Sequence, residues 1–162
     1  MIYLTEYKKP SITVDIIIFN ETISVNKKDN SIEFNENTEF ILIKRKNHPF
    51  KNHWAIPGGF VDYGESVENS AIRESKEETA IDIQLKKLFN VYSDPNRDPR
   101  GHTITIVYLA TGNFNKMNAE SDAVDIGIFS FNDIKIMDLS FDHKKILNDV
   151  CNDFNKKIVF ND

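Results

Sequence analysis

The stretch GFVDYGESVENSAIRESKEETAI, Gly59 to Ile81, decides how the rest of the chain is read. Its second half, Ser66 to Thr79, contains no residue that breaks a helix. Ser66 is suited to cap the N-terminus and Glu68 favours the first turn. On that helix Glu74, Glu77 and Glu78 stand at i, i+3 and i+4, and at roughly 100° per residue they share one face. Like charges at these spacings destabilise a helix by a few tenths of a kcal/mol per pair, and Lys76 lies on the other side. Three converging carboxylates suit hard divalent cations, Mg²⁺ or Mn²⁺, although an ordinary solvated helix face also presents such clusters.

The surrounding chain supplies the frame. Ser11–Phe19 and Glu39–Arg45 read as firm strands, with a short strand near Thr22–Val25 and a hairpin loop at Lys27–Ser31. The stretch NHPFKNHWAIPGGF is turn-rich, with two prolines and two glycines. Leu85–Tyr92, His102–Ala110 and Val124–Phe131 are strand-like, separated by the polar loops Asp94–Gly101 and Thr111–Asp122. A second helix is predicted from Asp142 to about Lys156, with Ile146, Leu147, Val150 and Phe154 on one face. Many strands and two helices, with no repeat or low-complexity linker, predict an α+β fold with helices packed on a mixed sheet.

Composition bounds the function. The chain has 162 residues, which supports a single domain over 1–162, and 40% of them are hydrophobic, enough for a real core. Its net charge of −5 argues against a general nucleic-acid binder. Cys151 is the single cysteine and cannot form an internal disulfide. No segment approaches the apolar length of a membrane span, and MIYLTEYKKP lacks the apolar stretch of a signal peptide, so a cytoplasmic protein is expected.

Arginine is scarce. Only Arg45, Arg73, Arg97 and Arg100 occur among twenty basic residues, as an AT-rich coding bias would give. A chain that otherwise uses lysine keeps arginine where a planar, bidentate fork is needed, as at a phosphate. In DPNRDPRG, two Asp-Pro pairs restrict the loop that carries Arg97 and Arg100.

The spacing around the helix is more specific than its charge. Gly59, five residues, Glu65, seven residues, Arg73-Glu74, then Glu77-Glu78 resembles the signature of the Nudix hydrolases, G-x5-E-x7-R-E-U-x-E-E-x-G-U with U a bulky apolar residue. Two positions depart from it: Ser75 stands where an apolar residue is usual and Ala80 where the helix-ending glycine is usual. Ser75 is expected to loosen the helix against the sheet. Ala80 is expected to take a left-handed conformation at a cost of roughly 1 kcal/mol. Val91–Ala110, Pro49–Glu65 and Leu139–Leu147 further resemble the ADP-ribose pyrophosphatase branch, so the likeness covers roughly residues 39–150.

The resemblance implies a mixed sheet sandwiched between helices (α/β/α), with residues 59–81 as a loop–helix–loop. It implies Mg²⁺-dependent hydrolysis, with Mn²⁺ as a substitute, of ADP-ribose to AMP and ribose 5-phosphate. Glu74, Glu77, Glu78 and the Gly58 carbonyl match the family's metal ligands. Glu65 and Arg73 match residues that orient the motif by ion pairing. Arg45, Arg97 and Arg100 are candidate phosphate or ribose contacts, though loop arginines can simply face solvent. The general base is Glu74 itself or a later carboxylate, Glu120 with Asp122 behind it. Phe60 can stack on adenine or pack; Trp54 is expected in the core and His102 in a structural role. Another nucleotide derivative or a nucleoside triphosphate is the alternative substrate, and an ADP-ribose-sensing regulator the alternative class. Many relatives are homodimers; exposed apolar residues of the N-terminal strands would form such an interface or enter the core.

Overall fold

The computed structural model describes residues 8–23, 25–26, 31–32, 34–118, 123–153 and 158–159. The strands are β1 (Ser11–Asn20), β2 (Val25–Asn26), β3 (Ser31–Ile32), β4 (Glu39–Arg45), β5 (Trp54–Ala55), β6 (Gly58–Phe60), β7 (Ile83–Tyr92), β8 (Thr103–Gly112), β9 (Ala123–Ser130) and β10 (Ile158–Val159). Helix α1 is Val67–Thr79 and α2 is His143–Asp153. Single turns of 3-10 helix lie at Phe114–Lys116 and Asp133–Lys135.

Strand β1 organises the sheet because it is apolar on both faces, as a strand covered on both sides must be. Val14, Ile16 and Ile18 pack with Ile41, Tyr108, Ala110 and, from α1, Ala71. Ile17 and Phe19 point the other way, onto Phe40, Leu42, Leu109 and the Ile146, Leu147 and Val150 stripe of α2. All five β1 residues are fully buried, so they are core and not an exposed interface. The result is a sheet between two helices, as expected. Truncating a residue of the α2 stripe, such as Leu147 to Ala, would cost about 2–5 kcal/mol.

The sheet is mixed. Strand β1 runs parallel to β8 over the whole register from Ser11↔Thr103 to Asn20↔Gly112, and β7 pairs antiparallel beyond β8. The other edge of β1 is shared: β4 meets it at Phe19↔Phe40, while β6 pairs with Thr13–Asp15. The sheet therefore parts between β4 and β6, and the candidate site lies at this parting. Strand β9 closes β4's outer edge from Glu39 to Arg45. A small separate sheet joins β2, β3 and β10.

Strand β4 and helix α1 follow the sequence reading; β1, β7, β8, β9 and the start of α2 shift by one or two residues, and residues 154–156, the expected end of α2, lie outside the described residues. The Thr22–Val25 expectation becomes the two-residue β2, and Ser31 belongs to β3. Strands β5 and β6 are too short to read through a stretch dense in proline and glycine. Strand β8 extends to Gly112, two residues into the expected loop. Phe154, Glu120 and Asp122 lie outside the described residues.

Both departures from the helix pattern have visible consequences. Ala80 closes α1 in the left-handed conformation at φ 61°, its N–H donating to Lys76. Ser75 is fully buried, and its Oγ has no hydrogen-bond partner among the described residues.

Candidate active site

The site is built from α1 upward. Ser66 Oγ accepts the Asn69 N–H at 3.2 Å and starts the helix. Two turns on from the cap, Arg73 becomes a hub. Its Nε and Nη2 donate to the two oxygens of Glu65, both at 2.9 Å, and Nη2 also reaches the Phe60 carbonyl at 3.1 Å. Its Nη1 donates to Glu74 at 2.7 Å and, more weakly, to Glu77 at 3.4 Å. This fork holds the Glu65 carboxyl far below its ordinary range, at about 2, and raises the guanidinium's own pKa. Helix α1 is thereby pinned to the loop that precedes it.

The glycines before the helix are set by close approach. A Cβ on Gly59 would lie 2.4 Å from Glu74 Oε1, and one on Gly58 would lie 2.1 Å from the Val14 carbonyl. The Gly58 N–H donates to Glu78 Oε2 at 2.9 Å. Glu78 is almost wholly buried. Burial outweighs that hydrogen bond and, with neighbouring Glu74, pushes its carboxyl up to about 8. Burial also raises Glu74, against the pull of Arg73. Glu77 is half exposed.

A cavity of about 310 Å³ opens at the parting of the sheet. Glu74 and Glu78 line it, and so do Arg45, Lys46, Arg97 and Arg100; Glu77 is not among its lining residues. Arg100 is held bidentately by Asp98, at 2.7 and 3.0 Å, and its guanidinium lies over the rings of Phe60 and Phe141 at 4.9 and 5.1 Å. Arg45 donates its Nε to the Pro49 carbonyl at 3.0 Å and lies over the same Phe141 ring at 4.9 Å. Burial and the charge of Arg100 lower the Arg45 pKa. Arg45, whose charge burial and Arg100 disfavour, thus faces the same cavity as Arg100, an arrangement that an anion relieves.

Arg97, by sequence a candidate phosphate or ribose contact or else a solvent-facing loop arginine, is neither: it forms a buried structural pair. Its side chain is 4% exposed, and its fork is held by both oxygens of Asp142, at 2.6 and 2.9 Å. It borders the cavity, but the edge of its guanidinium is already satisfied by a carboxylate. His102 lies outside the cavity lining, against the Ser93 carbonyl at 3.3 Å. Trp54 packs on the core and on Phe129, whereas Phe60 is 43% exposed and lines the cavity.

The sequence reading missed a buried polar network. Asp15, on β1, accepts the Thr105 hydroxyl at 2.6 Å and lies 3.4 Å from His143 Nε2 and 3.8 Å from Arg97. His143 Nδ1 accepts the Ile56 N–H at 2.9 Å, which fixes the tautomer with its proton on Nε2, toward Asp15. Burial lowers the pKa of His143, so the ring is held neutral. The signal was present: one carboxylate in the otherwise apolar run of β1, and Asp142-His143 at the head of α2.

Among the described residues, no three His, Cys, Asp or Glu are gathered closely enough to ligate one ion as they stand. The donor chemistry nonetheless fits a hard divalent cation. Glu74 is half-buried and Glu78 buried, each raised by the burial that a cation would offset, with Glu77 beside them on α1.

Fold and site together define an α/β/α domain with a carboxylate-bearing helix at a cleft. Residues 30–150 match the NUDIX domain model, and the chain belongs to that family of Nudix hydrolases. It is 43% identical over 143 residues to the ADP-ribose pyrophosphatase of Methanocaldococcus jannaschii, covering 88% of this chain and 74% of that protein. It is 31% identical over 156 residues to the ADPR responsive transcriptional repressor NtrR of Acinetobacter baylyi, covering 94% of this chain but only 58% of the repressor. Among solved structures, the NUDIX domain of Shewanella oneidensis NrtR complexed with ADP ribose superposes with a TM-score of 0.74 at 26% identity, covering 90% of this chain and 89% of that domain. No described helix is long and apolar enough to cross a membrane.

Proposed function

We propose that the chain hydrolyses the diphosphate bond of ADP-ribose, releasing AMP and ribose 5-phosphate. The observation that carries this reading is the two-sided chemistry of one cavity: Glu74 and Glu78 line it together with Arg45 and Arg100. A diphosphate linking two sugars suits both: its oxygens would meet the arginines, and the carboxylates would hold a cation that neutralises its charge. The likeness to an ADP-ribose pyrophosphatase over most of both chains supports this substrate.

Glu74, Glu77 and Glu78, with the Gly58 carbonyl, would hold Mg²⁺, or Mn²⁺ in its place. When bound, the ion neutralises the diphosphate and lowers the pKa of water. Arg45 and Arg100 bind the phosphoryl oxygens and stabilise the charge that develops on them. Arg73 and Glu65 hold α1 against its loop, so that the carboxylates keep their spacing. Water attacks one phosphorus as the bridging P–O bond breaks, and a carboxylate accepts its proton. Glu74 is one candidate for that base and Glu120 the other. The lone cysteine accords with a cytoplasmic setting.

A second reading, an ADP-ribose-responsive regulator, is favoured by the likeness to the Acinetobacter repressor. A substrate panel separates the two: ADP-ribose, other nucleoside diphosphate derivatives and nucleoside triphosphates, each with Mg²⁺ or Mn²⁺, with products read by chromatography. Release of AMP from ADP-ribose, fastest in the panel, supports the enzyme. Tight ADP-ribose binding without turnover supports the regulator. Faster cleavage of a nucleoside triphosphate would replace the substrate.

A further inference from the structure

Phe141 has a backbone that a phenylalanine does not adopt without cause. Its φ is 52°, in the left-handed region, where a side chain with a Cβ costs roughly 1–2 kcal/mol. Such a conformation persists only where its surroundings impose it, and here every neighbouring residue is anchored. Residues Ser140 to His143 form a turn closed by the His143 N–H to the Ser140 carbonyl at 3.1 Å. Ser140 is tied to the Trp54 carbonyl by its N–H at 2.9 Å and by its hydroxyl at 3.2 Å. Asp142 holds Arg97 bidentately, and His143 accepts the Ile56 N–H. Three anchors on two segments, Trp54 and Ile56 on one and Arg97 on the other, fix a four-residue turn whose second residue is left-handed.

What the strained residue delivers is a ring in the cavity lining. Arg45 and Arg100 each rest over it, at 4.9 and 5.1 Å, although they come from sequence positions 45 and 100. Phe50 meets the ring edge-on at 4.8 Å, and its own φ is 62°. A planar cation over an aromatic face is attracted to it more strongly as water is excluded. The ring therefore offers a shared surface to two guanidinium groups that would otherwise move apart.

We infer that Phe141 is a positioning residue: its ring, held by the strained turn at the head of α2, aims Arg45 and Arg100 at the diphosphate of the substrate. This rests on the proposal that the cavity takes a diphosphate, and it adds which side chain gives the arginines their aim. It makes no use of the base, so it applies equally to a diphosphate that carries none.

The test compares Phe141→Leu, Phe141→Tyr and Phe141→Gly with the wild type. Three quantities are read: KM and kcat for ADP-ribose with Mg²⁺, inhibition by inorganic pyrophosphate, and calorimetric binding of ADP-ribose after divalent ions are chelated. Loss of two cation–π contacts predicts that Leu and Gly raise KM about tenfold, with kcat changed by less than about twofold. Pyrophosphate inhibition and calorimetric binding weaken in parallel, and Tyr restores all three. Phe141→Gly relieves the backbone strain, so its melting temperature stays near that of the wild type while its binding is lost; this separates aim from folding. The inference is overturned if Leu and Gly bind like the wild type, if only ADP-ribose and not pyrophosphate is weakened (the ring then stacks on the base), or if kcat falls and KM does not. A wild type that neither binds nor cleaves ADP-ribose refutes instead the diphosphate reading beneath it.

Discussion

Two of the site's three bidentate arginine–carboxylate pairs look alike on paper and differ in surroundings. Arg73 and Glu65 lie eight residues apart, beside α1, with side chains 28% and 17% exposed. Arg97 and Asp142 lie 45 residues apart, with Arg97 only 4% exposed, and they join the loop after β7 to the head of α2. The first pair sits beside the proposed metal-binding face and shares its arginine with Glu74. The second has no carboxylate of that face among its partners and lies inside a buried polar network with Asp15 and His143. The difference teaches that one chemistry serves two ends. Near water, a fork sets the geometry of a reactive helix; in the interior, it ties distant segments together, and its loss leaves a buried charge unpaired.

The comparison breaks most sharply by changing the carboxylates that the first pair supports. Glu77→Gln or Glu78→Gln should lower turnover of ADP-ribose by on the order of a hundred- to a thousandfold with little change in folding, read by initial rates and thermal melting. Near-normal rates would remove these residues from the metal-binding face.

The second pair should respond the other way round. Arg97→Met should cost about 3–5 kcal/mol of stability, because the Asp142 carboxylate stays partly buried without its partner. Glu65→Gln should cost clearly less stability but still slow turnover. Denaturant unfolding and rates measured side by side give the contrast; equal losses of stability would erase the distinction drawn between the pairs.

The buried network also predicts a dependence on pH. His143 is held neutral by burial, so its pKa in the native protein lies below its ordinary 6.5. The unfolded chain then binds more protons as the pH falls, and stability drops as pH passes below about 6.5. In His143→Asn, which keeps a side-chain acceptor for the Ile56 N–H, this part of the acid sensitivity should vanish in a denaturation series from pH 8 to 5.

The smallest effect is expected at the end of α1. Ala80 occupies a left-handed cap where glycine carries no steric cost. Ala80→Gly should add up to roughly 1 kcal/mol of stability and leave turnover unchanged, a thermal-melting comparison.

These contrasts also show how far the sequence could be read. Helix α1 and its Ser66 cap were legible because their causes lie within a few residues of each other, and the left-handed Ala80 because it stands where the family pattern ends the helix with glycine. The pairing of Arg73 with Glu65 was legible through the family spacing. Arg97 was not: its loop reads as polar, and nothing in it announces a carboxylate 45 residues on. Asp15, His143 and Phe141 escaped for the same reason, since their partners arrive only when β1, the β5–β6 turn and the head of α2 are brought together by the sheet. The short strands β5 and β6 escaped because two or three residues carry no periodicity. Where contacts are local, pattern suffices; where they close across the fold, the residue type alone does not name its partner.

The central claim is that this cleft breaks the diphosphate bond of ADP-ribose and no other bond in it. Incubating the wild-type protein with ADP-ribose and Mg²⁺ in ¹⁸O-enriched water, with products resolved by mass spectrometry, tests it most directly. The account predicts AMP and ribose 5-phosphate, with one solvent oxygen incorporated on the phosphate of one of them. Intact ADP-ribose, or release of ribose or adenine with the diphosphate preserved, would contradict it.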